Sequence, residues 1–394
     1  MRNGNNLNTV PLQQVSLLDV NRGNLPMLEE IVDAIEEICI SGRFIGGPHC
    51  QQLEQAIAEY CQAKYAIGCA SGSDALLVAL MALGIGPGDE VIVPSFTFFA
   101  TASAVWRLGA TPVFVDIDEK TFNIDPKEIE RSVNSHTRAI IPVHLFGQCA
   151  DMHPIREIAQ RHNLKIVEDA AQAIGAKYHG EHACAMGDVG CLSFYPTKNL
   201  GGFGDGGMMT TNDAQLAAQL RKFANHGMNQ RYYHDEVGVN SRLDSIQAAA
   251  LCLKLRSLPQ WTRARCENAD RYHTLFAEAG IGDQVELPSG TAGLDHVWNQ
   301  YTIRVRSMER DVLRESLRLR GVGTEIYYPV PLHLQKCFAH LGYRRGSLPK
   351  TEQASMDVLS LPIYPELKIS EQEYVVAQIA NVLAEAKMPL RKAS

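Results

Sequence analysis

Between residues 50 and 170 short β-branched runs alternate with helical stretches, and few folds accept that rhythm. The runs "YAIGCAS", "DEVIVP", "TPVFVDI", "RAIIPVHLF" and "LKIVEDA" read as strands. The stretches "SDALLVALMALG", "TFFATASAVWRLG", "DPKEIERSV" and "MHPIREIAQRHN" between them read as helices, and a further helix, "PHCQQLEQAIAEYCQA", precedes the first strand. A strand that reaches the next one through a helix runs parallel to it, and the crossover helices cover the sheet. The predicted class is therefore α/β, with a mainly parallel sheet buried on both faces.

After residue 171 three strands follow without intervening helices: "IGAKYHG", "VGCLSFYP" and "GGMMTTN". Helical patterning returns at "DAQLAAQLRKFAN" and in a stretch from Ser245 long enough to bridge two domains, where Pro259 is expected to break or kink the helix. Beyond it lie "HVWNQYTIRV", a helix near "ERDVLRESLRLRG", "TEIYYPV" and a C-terminal helix. A chain of 394 residues exceeds what one core usually holds together. The division expected is a polar tail at 1–14, a large domain at 15–255 and a small C-terminal domain at 256–394.

Composition removes several classes of function. A net charge of −7 without clustered Lys and Arg argues against a nucleic-acid partner. No apolar stretch is long enough to span a bilayer, and "MRNGNNLNTVPLQQ" has neither the basic start nor the apolar core of an export signal, so the expectation is a cytoplasmic protein without a membrane partner. The ten cysteines stand singly, with no C-x-x-C, which points to reduced, mostly buried thiols and to no metal site.

The stretch "SFYPTKNLGGFGDGG" makes two chemical offers: Lys198, and Gly202-Phe-Gly204-Asp-Gly-Gly207, which spells G-x-G-x-x-G. A dinucleotide fingerprint follows a strand, opens a helix and has an acidic residue about 20 positions later for the ribose. Here the glycines lead into another strand, "MMTTN", and no acid stands at a convincing place. They read as a loop that turns the chain past the lysine, which leaves a nicotinamide dehydrogenase as a poor second choice. Ligands of such sheets collect at the carboxyl ends of strands. There the sequence offers Asp169, Gln172, the helix start Ser71-Gly72-Ser73-Asp74, and the aromatic pair Phe98 and Phe99. An anion cradle, an aromatic plate, a carboxylate and a primary amine form the set that pyridoxal phosphate requires.

Taken together, "CASGSDAL", "GDEVIVPSFTFFATASA", "VEDAAQAIGAKY", "GDVGCLSFYPTKNLGGFGDGG", "GVNSRLDSIQAA", "YYPVPLHLQ" and "LSLPIYPEL" closely resemble the DegT/DnrJ/EryC1/StrS family of nucleotide-sugar aminotransferases, in the family's order and over about residues 15 to 385. The resemblance implies the aspartate-aminotransferase fold, fold type I among pyridoxal-phosphate enzymes, in a homodimer with active sites at the interface. It implies Lys198 as the lysine that forms the Schiff base with the cofactor and then moves the proton. It places Asp169 at the ring nitrogen, Gln172 near the ring hydroxyl and Phe98 on the ring face. Gly72, Ser73, Asp74 and Ser193 would hold the phosphate, with Asn240 reaching in from the partner subunit. Tyr328, His333 and Arg242 match positions near the sugar. Each has a structural rival: a turn cap for Asp169, an N-cap for Ser73, core packing for Phe98 and Phe99, a loop hydrogen bond for His333, an interface role for Arg242. Dehydratases of the family carry histidine where this chain has Lys198, so amino transfer is the implied reaction, from an amino acid such as glutamate to a keto sugar. Tyr195, Asn199 and Asp205 fall with the pattern of members that aminate the sugar's C3. The alternatives are a C4-keto sugar or cyclitol as acceptor, and a cofactor-binding regulator without turnover.

Overall fold

The computed structural model describes residues 14–387. The polar tail expected at 1–14 lies, but for residue 14, outside the described residues, as does the end of the chain at 388–394.

Seven strands form the central sheet: β1 (Tyr65–Cys69), β2 (Glu90–Pro94), β3 (Thr111–Val115), β4 (Thr137–Ile140), β5 (Lys165–Asp169), β6 (Val189–Ser193) and β7 (Gly207–Thr211). Their order is β1-β7-β6-β5-β4-β2-β3. Neighbours from β6 to β3 pair in parallel, whereas β7 runs antiparallel to both β1 and β6. Six carboxyl ends and the amino end of β7 therefore share one edge of the sheet.

Strand periodicity sorts the apolar side chains onto two faces. Ile92, Ile166, Leu192 and Met208 belong to one buried cluster, whereas their neighbours Val91, Val167, Cys191 and Met209 belong to another. The first face is covered by helices α2 (Pro48–Cys61) and α6 (Met152–His162) and by the start of α8 (Ser245–Glu278). The second is covered by α3 (Gly72–Ala82), α4 (Phe99–Arg107) and α7 (Ala214–Ala224). Helix α3 buries every residue from Ala75 to Leu80, as a helix packed on all sides must. Helices α1 (Leu28–Ser41) and α5 (Pro126–Ser132) complete this part of the chain.

Helix α8 continues through Pro259 rather than breaking there. A proline removes one backbone donor, and packing at both ends outweighs that loss: Leu251, Leu255 and Leu258 join the first large core, while Ala269, Tyr272 and Phe276 join a separate C-terminal core. That core is built on the antiparallel strands β8 (Val285–Glu286), β9 (Tyr301–Val305) and β10 (Val358–Leu361) with α9 (Arg310–Leu319) and α11 (Ile369–Lys387); α10 (Pro349–Asp357) leads into β10. Val15 packs into it as well, bridged to Val322. The expected strand "RAIIPVHLF" is shorter than its apolar run, because β4 ends at Ile140 and Leu145–Gly147 forms a tight turn. "TEIYYPV" contributes a single bridge, between Glu325 and Ser360.

Candidate active site

At the shared edge, the turn from β1 into α3 is capped by Ser71, whose hydroxyl accepts from the Asp74 backbone N–H at 3.1 Å. Ser73, which could have been the cap, lies inside the first helical turn, so its backbone N–H belongs to the unpaired set that draws anions to a helix start. Gly72 and Gly207 keep this corner narrow. A Cβ on Gly72 would stand 2.7 Å from the Ser193 Cβ, and one on Gly207 would stand 2.4 Å from the Ser71 carbonyl. Ser193 is the last residue of β6, and its Oγ accepts from the Tyr195 N–H at 3.3 Å.

Strand β5 delivers two adjacent acids to opposite sides. Asp169 is buried at the edge; its Oδ2 accepts from the Thr101 hydroxyl at 2.8 Å and its Oδ1 from the Ala171 N–H at 3.3 Å. Thr101 has one proton and donates it to Asp169, so Thr97, 3.2 Å away, is the donor to Thr101. Burial pushes the Asp169 carboxyl upward, against the lowering effect of Thr101, the Ala171 N–H and the Lys198 charge. Glu168 points the other way. It accepts from the backbone N–H groups of Cys184, Met186 and Gly187 and from His144 Nε2 at 2.9 Å. His144 Nδ1 accepts from the Ala150 N–H, which fixes the ring proton on Nε2. Glu168 is thus a buried foot under the strand that carries Asp169.

Gln172 is fully engaged: its Oε1 accepts from the Phe146 N–H at 2.8 Å and its Nε2 donates to the Tyr328 hydroxyl at 3.1 Å. Tyr328 in turn lies parallel to Phe146 and edge-on to Phe96, and burial raises its phenol. Lys198 stands one turn beyond β6, its N–H donating to the Tyr195 carbonyl at 2.9 Å. Burial lowers its ammonium to about 8, with the charge of Asp169 pulling the other way. Asn199 pins the loop, since its Nδ2 donates to the Val297 carbonyl at 2.9 Å and its Oδ1 accepts from Asn299 at 2.8 Å. A cleft opens beside Lys198, with Lys254, Arg265, Tyr364 and Glu366 in its walls.

Phe98 is 61% exposed at the start of α4. Phe99, expected in the core, is 43% exposed and leans on Phe338. Asn240 and Arg242 are also exposed; Asn240 is bridged to Asn225, whose side-chain oxygen accepts from Arg242 at 3.5 Å. His333 is buried, with Nδ1 2.7 Å from Ser95 Oγ and Nε2 3.2 Å from Glu352 Oε1. Contact between that ring and a substrate would require one of these bonds to open. The sequence reading did not name Thr101, Thr97 or the Glu168–His144 pair. The signal for Thr101 was a hydroxyl in the first turn of a helix leaving the ligand edge.

The residues at this edge suit pyridoxal phosphate. The glycine-lined helix start supplies anion donors, Asp169 a buried carboxylate for a charged ring nitrogen, and Lys198 a desolvated amine for an aldehyde. No helix among the described residues is long and apolar enough to cross a membrane. The family model for the DegT/DnrJ/EryC1/StrS aminotransferase family matches residues 26–380. Over 93% of its length the chain is 51% identical to a protein of Geobacillus stearothermophilus named pleiotropic regulatory protein, covering 98% of that protein. It is 44% identical, over 94% of its length and 97% of the relative's, to the UDP-N-acetyl-3-dehydro-alpha-D-glucosamine 3-aminotransferase of Acidithiobacillus ferrooxidans. The crystal structure of NtdA from Bacillus subtilis with bound cofactor PMP superposes with a TM-score of 0.88 at 37% identity, covering 94% of this chain and 85% of that one. With one lysine loop, one sheet order and a match over nearly the whole length in agreement, the chain belongs to the DegT/DnrJ/EryC1/StrS aminotransferase family.

Proposed function

We propose that this chain is a pyridoxal-phosphate-dependent aminotransferase that moves an amino group from glutamate to the 3-keto carbon of a nucleoside-diphosphate sugar. The observation that carries this reading is a half-buried lysine beyond a strand end, its ammonium lowered to about 8 by desolvation, that feels the charge of the buried Asp169 at the carboxyl edge of a parallel sheet. Bound there, pyridoxal phosphate supplies an electron sink for the pair left on carbon when a proton departs.

The chain's own residues have separate tasks. Near pH 7 an amine of pKa about 8 is unprotonated in about a tenth of molecules, so Lys198 Nζ would hold the cofactor through its aldehyde with loss of water and, once displaced by the substrate amine, would take and return a proton at the substrate carbon. Asp169, fixed by Thr101 and Ala171, offers its carboxylate to the ring N–H. The free backbone N–H groups at Gly72 and Ser73, with the Ser193 hydroxyl, would orient the phosphate, and Asp74, its N–H held by the Ser71 cap, would fix the turn that presents them; Gln172 and Tyr328 would border the ring and Phe98 would cover its face. The exposure of Phe98, Asn240 and Arg242 in one chain supports a homodimer in which Asn240 reaches the neighbour's phosphate and Arg242 the substrate. The 3-keto preference rests on Tyr195, Asn199 and Asp205 and on the reaction named for the Acidithiobacillus relative.

The test is turnover by protein loaded with pyridoxal phosphate, using glutamate as donor and a panel of 3-keto and 4-keto nucleotide sugars and cyclitols, with products identified by mass and NMR. Amination at C3 is expected. Amination at C4 or of a cyclitol overturns the acceptor assignment while leaving the chemistry. The name of the Geobacillus relative favours a second reading, a cofactor-holding regulator. Cofactor binding with no spectral response to any amino donor would select that reading.

A further inference from the structure

The loop that presents Lys198 makes several backbone bonds to itself. The Phe194 N–H donates to the Gly206 carbonyl at 2.8 Å and the Gly202 N–H to the Phe194 carbonyl at 2.7 Å, so residues 194–206 close into a compact turn. Two side chains of α8 grip this turn from outside. Gln247 Oε1 accepts from the Phe203 N–H at 2.8 Å. Lys254 Nζ donates to the Gly201 carbonyl and stands 5.2 Å over the Phe203 ring. The two residues are seven apart, two helical turns along one face of α8. The glycines fit the grip: a Cβ on Gly202 would be 2.7 Å from Gln247 Oε1, and one on Gly204 would be 3.0 Å from Gln247 Nε2. Lys254 is 5% exposed, yet its hydrogen bond goes to a main-chain carbonyl rather than a carboxylate. Lys254, Gly201 and Lys198 line the same cleft.

We propose that Gln247 and Lys254 are positioning residues which clamp the loop from Gly201 to Phe203 and thereby set where Lys198 Nζ stands against the cofactor. A buried ammonium spent on a loop carbonyl is a costly way to gain stability alone. It does fix the height of the lysine's loop relative to α8, a helix that contributes to both the large and the C-terminal cores. Asn199 holds the same loop from the opposite side through Val297 and Asn299. Lys198 is thus held between α8 and the segment that enters β9.

The proposal rests on Lys198 being the cofactor-bearing lysine, and the experiment separates the two. Lys254→Met, Lys254→Arg and Gln247→Leu are made in the full chain loaded with pyridoxal phosphate. Three quantities are read: the rate of cofactor release into an apoenzyme trap, the pH midpoint of the cofactor's visible band, and the urea midpoint of the cofactor-free protein. Lys254→Met and Gln247→Leu are expected to speed release about tenfold, which corresponds to about 1.4 kcal/mol. They are also expected to move the band's midpoint, with the urea midpoint little changed and Lys254→Arg returning toward wild type. Unchanged release and unchanged midpoint in both variants overturn the clamp, as does an effect that merely follows the loss of stability. Should Lys254→Met not fold, Gln247→Leu decides. If the wild type itself shows no visible band, the reading of Lys198 fails; protease cleavage between Pro196 and Gly207 in the cofactor-free variants then decides the clamp, faster cutting supporting it and equal cutting refuting it.

Discussion

Glu168→Gln changes one atom in a site whose hydrogen bonds can be counted. In the native chain Oε1 receives the Met186 and Gly187 N–H groups at 2.8 and 2.7 Å, and Oε2 receives the Cys184 N–H and His144 Nε2–H, both at 2.9 Å. Both oxygens are acceptors, and no donor is wanted. An amide presents NH2 at one of the two positions. Placed at Oε1, it faces two backbone N–H groups and leaves both unpaired. Placed at Oε2, it lets His144 reverse its tautomer and accept, but the Cys184 N–H is then unpaired and the Ala150 N–H loses its partner on Nδ1. Two buried donors are orphaned in either orientation. At about 1–3 kcal/mol each, the loss is about 2–6 kcal/mol, a large share of the roughly 5–15 kcal/mol by which a folded protein is stable. Urea unfolding of the cofactor-free protein measures it, with His144 variants as a control for the tautomer argument. A loss below about 1 kcal/mol would refute the donor count, because no rearrangement of these groups restores the missing acceptor.

Borohydride reduction of the loaded protein followed by peptide mass mapping is expected to place the pyridoxyl adduct on Lys198, and Lys198→Ala should give none while unfolding at a similar urea concentration. Because Lys198 is lowered to about 8, the unfolded chain binds more protons than the native one between about pH 8 and the ordinary lysine value near 10.4, so this residue's contribution to stability rises with pH across that window. The check is the difference in unfolding free energy between cofactor-free wild type and Lys198→Met, measured from pH 7.5 to 10, because thiols that burial keeps protonated in the native chain, such as Cys69, ionise there once unfolded and contribute with the opposite sign. Thr101→Val removes a hydrogen bond that lowers a buried carboxyl, so the Asp169 carboxyl should rise further, read as an upward shift in the acid limb of the activity profile. Asn240→Ala should hasten cofactor loss without unfolding the chain, and sedimentation should show the wild type as a dimer at the concentrations where it keeps its cofactor.

The parts legible in the sequence are those governed by local periodicity. Strand alternation alone puts Asp169 and Glu168 on opposite faces, and the glycine loop after "SFYPTKN" puts Lys198 beyond a strand end. The partners of these residues were not legible, because they come from far along the chain: Thr101 lies 68 residues before Asp169, and Gln247 lies 44 residues after Phe203. Core packing, the structural rival for Phe98 and Phe99, holds for neither: both are exposed, and Phe99 leans on Phe338, which arrives from the C-terminal part of the chain. Pro259 carried a strong local signal for a break, which was overridden, since two cores keep α8 helical through it. The apolar run after Ile140 looked like more strand, but Pro142 has no N–H to give and Phe146 takes a positive φ of 59° to let its amide reach Gln172.

The glycines of "GGFGDGG" show why a pattern that spells a nucleotide fingerprint can serve a lysine instead. In a dinucleotide fold such glycines make room for a pyrophosphate at a helix start. Here Gly207 opens strand β7, and a Cβ on it would meet the Ser71 carbonyl at 2.4 Å, so its missing side chain makes room for the helix start of a different turn. Gly201 passes over the Pro196 carbonyl, where a Cβ would stand 2.4 Å away; Gly202 and Gly204 make room for Gln247. The glycine positions are thus occupied by the protein's own backbone and by one amide from α8, leaving no space in which to seat a pyrophosphate. Their effect is to let the chain fold back within one short turn after Lys198. That brings β7 antiparallel beside β6 and sets the amine at the edge where the parallel strands end.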